Sequence, residues 1–300
     1  MKVKIWAAML AVYIVWGSTY LAIRFAVETI PPFLMAGVRF LIAGAILYLA
    51  RRLAGDPAPT RREWRSAAIV GGLLLVGGNG CVVWAEQRVV SGITALVVGS
   101  APLFMVIVDA LRPGGRRPGW GTLVGVLIGL AGIGLLVAPG EIIGHGMALD
   151  ALGFAVLLLG AFFWAMGSLA GRDVRLPDSP LLSTSMEMLA GGAGLAILGT
   201  LTGEWGRLDL AAIAPRSLWG VAYLILFGSL VGFAAYTWLL RVAPTPLVAT
   251  YAYVNPLVAV FIGNLLAGEE LTPRILMASV VIIGAVAMIN LSRTACARLQ

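Results

Sequence analysis

Ten runs of roughly twenty apolar residues, parted by short connectors, constrain this chain more than any other feature. A hydrocarbon layer about 30 Å thick is crossed by about 20 residues rising 1.5 Å each. Runs of that kind lie near residues 5–23, 33–50, 66–86, 91–111, 120–138, 151–170, 180–201, 218–240, 246–267 and 273–291. Lipid offers no partner to a peptide N–H or C=O, so each run must satisfy its own backbone as a helix. The polar–apolar alternation of a porin-type barrel is absent. Composition agrees: the chain is 60% hydrophobic and 12% charged, against about 45–50% and about 25% in soluble domains. No single water-soluble core of 300 residues could hide that excess. The expectation is an all-α integral membrane protein with ten transmembrane helices.

The connectors carry the charge and set an orientation. A net charge of +7 could suggest nucleic acid, but the basic residues sit in short segments between apolar runs, as they do in membrane proteins. With the N-terminus inside, the inner segments hold Lys2, Lys4, Arg51, Arg52, Arg61, Arg62, Arg65, Arg112, Arg116, Arg117, Arg172, Arg175, Arg241, Arg293 and Arg298. The outer segments hold only Arg24, Arg88, Arg207, Arg216 and Arg274, and Arg39 falls within a span. Fifteen against five predicts that both termini are cytoplasmic. Met1–Lys4 and the apolar stretch behind it could pass for a signal peptide. That stretch holds Trp6, Tyr13, Trp16 and Tyr20 and lacks a small-residue cleavage site, so it reads as the first span.

Cofactor chemistry finds little purchase. Cys81 and Cys296 are far apart and share no ligand spacing, and the lone His145 sits between Gly144 and Gly146. No metal and no other cofactor is expected.

The chain also repeats itself. A shift of 148 sets Trp16 on Trp164, Leu21-Ala22 on Leu169-Ala170, Arg24 on Arg172, Pro32 on Pro180 and Gly44 on Gly192. A shift of 154 sets Gly78 on Gly232, Trp84 on Trp238 and Pro102 on Pro256, and one of 155 sets Gly129 on Gly284. Each match is weak alone, but their order holds over five consecutive spans. Five is odd, so the second copy must enter the membrane from the opposite side. Two inverted five-helix repeats, residues 1–145 and 146–300, are expected around a central cavity, an arrangement suited to alternating access.

The motifs resemble the EamA family of the drug/metabolite transporter superfamily. Val15-Trp16-Gly17-Ser18-Thr19-Tyr20 is similar to its first-span motif. Pro32 through Arg39-Phe40 to Gly44 is similar to its second span, and Ser100-Ala101-Pro102-Leu103-Phe104 to its fourth. The longest likeness runs from Tyr223-Leu224-Ile225-Leu226-Phe227-Gly228-Ser229 through Tyr253-Val254-Asn255-Pro256 to Gly268-Glu269-Glu270-Leu271-Thr272. The resemblance implies two EamA repeats and export of metabolites from a bacterial inner membrane. Members of the family move amino acids, including aromatic ones in the YddG type, as well as other metabolites and drugs. The second copy departs from the pattern at Glu187, where the first has Arg39.

Charges at membrane depth are costly and begin as functional candidates. For Arg39 two roles stay open, a structural anchor on backbone carbonyls or a site for a substrate carboxylate. Glu187 reads as a hydrated carboxylate or as a proton-coupling group. Glu86, Asp109, Glu269 and Glu270 close spans and read as interfacial charges. Pro102 and Pro256 fall mid-span; each removes a donor and frees a carbonyl four residues back, at Val98 and Ala252, for a hinge or for a ligand. The expected substrate-binding set is Trp16, Ser18, Thr19, Asn79, Trp84, Ser100, Trp164, Ser168, Tyr236, Tyr251 and Asn255, since indole and phenol faces pair apolar area with a polar handle. Trp6 and Trp120 read instead as interfacial belt residues. Gly121, Gly125 and Gly129 form a small-residue stripe whose partner is the tenth span or a second protomer in a homodimer.

A secondary carrier for small metabolites, amino acids foremost, is the expected function, with a multidrug or other metabolite carrier of the same fold as alternative. An integral membrane enzyme acting on lipid-like substrates would need clustered His, Asp or Glu at one interface, and one His with scattered carboxylates argues against it. A continuous channel would need polar or charged rings, which the spans lack. The partners expected are the bilayer and a small-molecule substrate, with no nucleic acid.

Overall fold

In the computed structural model the expected apolar runs are helices. Residues 2–112, 118–137, 150–243, 245–248 and 250–298 are described; the junction at 145–146, His145, Arg116 and Arg117 lie outside them. The helices are α1 (Lys2–Ala26), α2 (Pro32–Leu53), α3 (Arg61–Ala85), α4 (Ser91–Leu111), α5 (Trp120–Val137), α6 (Ala151–Asp173), α7 (Pro180–Leu201), α8 (Pro215–Leu239), α9 (Tyr251–Ala267) and α10 (Pro273–Arg298). Seven of these are long and apolar enough to cross a membrane. The remaining three contain shorter apolar stretches, Trp120–Leu135, Val254–Ala267 and Pro273–Ile289.

Local chemistry sets the ends. Proline opens α2, α7 and α8, where its missing N–H is an orphan in any case. Thr60 and Glu63 cap α3 reciprocally: the Thr60 N–H donates to Glu63 Oε2 at 2.7 Å and the Glu63 N–H to Thr60 Oγ1 at 3.3 Å. Gly268, at φ +64°, ends α9 in the left-handed turn that few other residues adopt.

The outward faces are what lipid requires. On α2, Val38, Ile42, Ile46 and Leu49 recur at helical spacing and are all exposed. Leu10 and Ile14 on α1 and Leu123 and Leu127 on α5 are exposed as well. An apolar surface of this extent is stable against hydrocarbon and not against water.

Inside, the helices pack in close pairs: α2 on α7, α5 on α10, α1 on α8 and α9, and α6 on α3 and α4. Gly37 lies beside Gly192 and Ala196 while Gly44 lies beside Met188 and Leu189, so α2 and α7 run antiparallel. By the same register α6 is antiparallel to α3, since Gly160 meets Cys81 and Gly167 meets Leu74. α3 is parallel to α7, with Gly71 against Glu187 and Gly191 against Leu75. It follows that α6 runs in the sense of α2. Gly125 and Gly129 press on Ala285 of α10, so the glycine stripe of α5 has its partner within the chain.

Three helices are irregular. α3 widens to a π-helix at Gly72–Asn79 and α8 at Leu224–Val231, regions 152 residues apart. In α8 the wider register gives the Gly232 N–H to Phe227 O, a disturbance of a kind frequent at functional sites. α4 breaks at Gly99–Ser100, so Pro102 sits in the first turn of a new helical piece rather than kinking a continuous one. Pro256 does lie inside α9, which begins after its N-cap residue Thr250.

Candidate functional site: an internal chamber between the matched helices

A chamber of about 180 Å³ lies inside the bundle. Residues of α1, α2, α3, α4, α6, α8 and α9 line it. From α1 come Trp16, Thr19, Tyr20 and Ile23, the i, i+3, i+4, i+7 face of a helix. α2 gives Arg39 and Phe40, and α3 gives Leu75, Asn79 and Val82. The break in α4 brings Val98, Gly99, Pro102 and Met105 to the wall; α6 adds Trp164, α8 adds Gly228 and Phe233, and α9 adds Tyr251, Ala252, Asn255 and Pro256. Both prolines and the residues four positions before them, Val98 and Ala252, thus line one space.

Trp16 is held firmly. Its indole Nε1 donates to Gly228 O in the π-helical stretch at 3.1 Å. Its ring packs on Phe233, Tyr236 and Tyr251 with centroids 5.1–5.3 Å away. Gly232 is required there because a Cβ on it would overlap the indole. Across the chamber Trp164 lies against Gly78, where a Cβ would stand 3.1 Å from ring atom Cε3. The two Trp–Gly pairs are those that the sequence shifts equate.

Arg39 is 4% exposed. Nε donates to Ser229 Oγ at 3.2 Å, and the guanidinium lies over the Phe40 ring, 4.6 Å from its centroid. Nη1 is buried without a partner among the described residues, as are Asn79 Oδ1 and Asn255 Oδ1.

Of the expected binding residues, Trp16, Thr19, Asn79, Trp164, Tyr251 and Asn255 line the chamber, and five do not. Ser18 is two residues from Trp16, about 200° around the helix, and its hydroxyl meets Tyr223 Oη at 2.7 Å. Ser100 is fully buried at the α4 break and its hydroxyl donates back to Val97 O at 2.5 Å. Trp84 stacks under the Arg88 guanidinium, 4.8 Å away. Tyr236 stands behind Trp16 and Tyr251 as a second ring layer. Ser168 is one turn beyond Trp164 on α6 and is not among the lining residues. Glu187 is also off the chamber; on α7 it accepts from Ser183 Oγ at 3.0 Å.

The span-closing carboxylates need a larger correction. Glu269 is 8% exposed and ties three elements together. Oε1 accepts from the Ser91 N–H at 2.9 Å and its Oγ at 2.7 Å, Oε2 accepts from the Gly92 N–H at 3.0 Å, and Arg24 of α1 forms a salt bridge with Oε1. The carboxylate therefore caps α4 as well as pairing a charge. Glu86 is 3% exposed and borders a separate cleft with Arg24, Glu28 and Arg207. It feels the charge of Arg39 and Arg24 without a hydrogen bond to Arg39. Glu204, unremarked in the sequence, accepts the Phe33 and Leu34 N–H groups at 3.2 and 2.8 Å and caps α2. Asp109 does pair with Arg112, at 2.8 Å. Outside the spans, Asp150 pairs with Arg88 at 2.8 Å, and that hydrogen bond holds its carboxyl below the usual range. Tyr20, one turn after Trp16, was legible from helical spacing; no sequence signal marked Glu204.

A helical bundle with a lipid-facing apolar surface and a partly polar chamber walled by paired helices defines a multi-pass membrane transporter. The chain belongs to the EamA-like transporter family, whose model matches residues 3–138 and again 151–291. It is 41% identical over 292 residues to the uncharacterized inner membrane transporter YedA of Escherichia coli K12, covering 96% of this chain and 91% of that protein. The chloroplastic WAT1-related protein At3g02690 of Arabidopsis thaliana is 23% identical over 288 residues, covering 95% and 69%. The uncharacterized transporter YoaV of Bacillus subtilis 168 is 21% identical over 281 residues, covering 93% and 94%. A crystal structure of another protein shares the fold, with TM-score 0.63, 21% identity and 98% of each chain covered.

Proposed function

We propose that the protein is a secondary carrier of small amphipathic metabolites, amino acids foremost, working by alternating access in a bacterial inner membrane with both termini cytoplasmic. Residues 1–145 and 146–300 act as two inverted five-helix repeats that rock about the chamber. The observation that carries this reading is the chamber wall itself, where Trp16 on Gly232 is echoed by Trp164 on Gly78. Matched residues exchange partners in this way when two halves are related by a twofold axis in the membrane plane. The double match to the family model, the two π-helical stretches and the common sense of α6 and α2 support the same reading. At about 180 Å³ the chamber falls below the roughly 300 Å³ at which drug-sized pockets begin, which favours small metabolites over drugs.

Single cysteines replacing Arg24 and Arg172 should react with an impermeant thiol reagent from opposite sides of the membrane. Reaction of both from one side would end the inverted-repeat reading. Purified protein in liposomes should exchange a labelled amino acid from a broad panel. Silence across the whole panel would remove amino acids as substrates.

A further inference from the structure

We propose that the chamber takes its substrate as a zwitterion: Arg39 receives a carboxylate, and the side-chain oxygens of Asn79 and Asn255 receive an ammonium group. This rests on reading the chamber as the carrier's substrate site, and it names the chemistry of that site.

Buried polar groups almost always have partners, and each one without needs a reason. Two other polar groups of the chamber wall are satisfied within the protein: Trp16 Nε1 donates to Gly228 O and Thr19 Oγ1 to Trp16 O. Three are not. Arg39 Nη1, Asn79 Oδ1 and Asn255 Oδ1 come from three different helices, and all three residues line the same space. One is a cationic donor lacking an acceptor; two are acceptors lacking a donor. A molecule with an anionic acceptor at one end and a cationic donor at the other completes all three.

The fixed geometry of Arg39 sharpens this. With Nε bonded to Ser229 and Cζ over the Phe40 ring, Nη1 is the donor left for recognition, and a guanidinium pairs well with a carboxylate. Among the described residues no acidic side chain lines the chamber to neutralise it. Glu86 feels the same charge but borders the cleft beside Arg24. The amine end meets neutral amide oxygens rather than carboxylates, so the wall carries a single positive charge. A lone amine is therefore repelled, a lone acid is tolerated, and a zwitterion is favoured. Trp16, Trp164, Phe233 and Tyr251 remain to cover an apolar or aromatic side chain.

The test is a binding series on detergent-purified protein by isothermal titration calorimetry. The probes are L-phenylalanine, 3-phenylpropionate and 2-phenylethylamine, with L-leucine, 4-methylpentanoate and 3-methylbutylamine as a second set. Each amino acid is expected to bind roughly ten- to hundredfold more tightly than its amine, the cost of one hydrogen bond to a charged group. The acid should fall between them. Arg39→Gln should abolish the preference over the amine, with Arg39→Lys restoring part of it. Asn79→Leu should instead narrow the gap between amino acid and acid, and Glu86→Gln should leave the order unchanged. An amine that binds as well as its amino acid would overturn the proposal, and that comparison needs no variant to fold. Liposome flux of a solute with no carboxylate preference would overturn it while leaving the carrier reading intact. Tight amino-acid binding without flux of any solute would sustain it and overturn the carrier.

Discussion

Glu269→Gln isolates the tie at the Arg24 end of the bundle. The carboxylate takes three hydrogen bonds from Ser91 and Gly92 and pairs with Arg24. Bonds to a charged acceptor contribute about 1.5–3 kcal/mol and neutral ones about 0.5–1.5, so uncharging the group weakens each bond that survives by about 1 kcal/mol. The amide also presents an NH₂ where the second oxygen stood, and at least one donor loses its acceptor. Arg24 is about a third exposed, so the loss of its pair adds only on the order of 1 kcal/mol. A total of at least about 2 kcal/mol corresponds to a roughly thirtyfold shift away from the tied arrangement. If this end must part for the chamber to open, a cysteine replacing Tyr20, on a background with Cys81 and Cys296 replaced, reports it. Its modification by an impermeant maleimide from the Arg24 side should accelerate at least about tenfold in the Gln variant. Unchanged labelling in protein that stays monodisperse would refute the reasoning, because the contacts would then be present in both conformations or in neither.

Two further outcomes follow from the geometry. Gly232→Ala places a Cβ in the Trp16 indole; overpacking of this kind costs about 1–3 kcal/mol. Amino-acid binding should fall about tenfold or more with the helical content by circular dichroism unchanged. Glu204→Ala strips the cap from α2, leaving the Phe33 and Leu34 N–H groups without their acceptor. The thermal midpoint in detergent should drop by the equivalent of about 1–3 kcal/mol, whereas exposed Glu270→Ala should hold it.

The helix positions were legible because each helix satisfies its own backbone, so the length and spacing of apolar runs suffice to mark it. α7 was expected and found at 180–201. The internal match of Trp16 with Trp164 and Gly78 with Gly232 was also readable, since it is a property of order along the chain. Rotation about each helix axis was the weak point. Hydroxyl chemistry suggested Ser18, but only a residue on the Trp16 face can reach the chamber, and Tyr20 and Ile23 hold that face.

What the sequence determined alone was the solvent and the helical class, both of which depend on neighbours within about twenty residues. Only the tertiary structure decided which carboxylates are structural: Glu269 finds Ser91 178 residues away and Glu204 finds Leu34 170 residues away. Only it left Arg39, Asn79 and Asn255 facing one space with their polar atoms unspent. A buried group's role depends on who stands across from it, and in a bundle that partner comes from another helix.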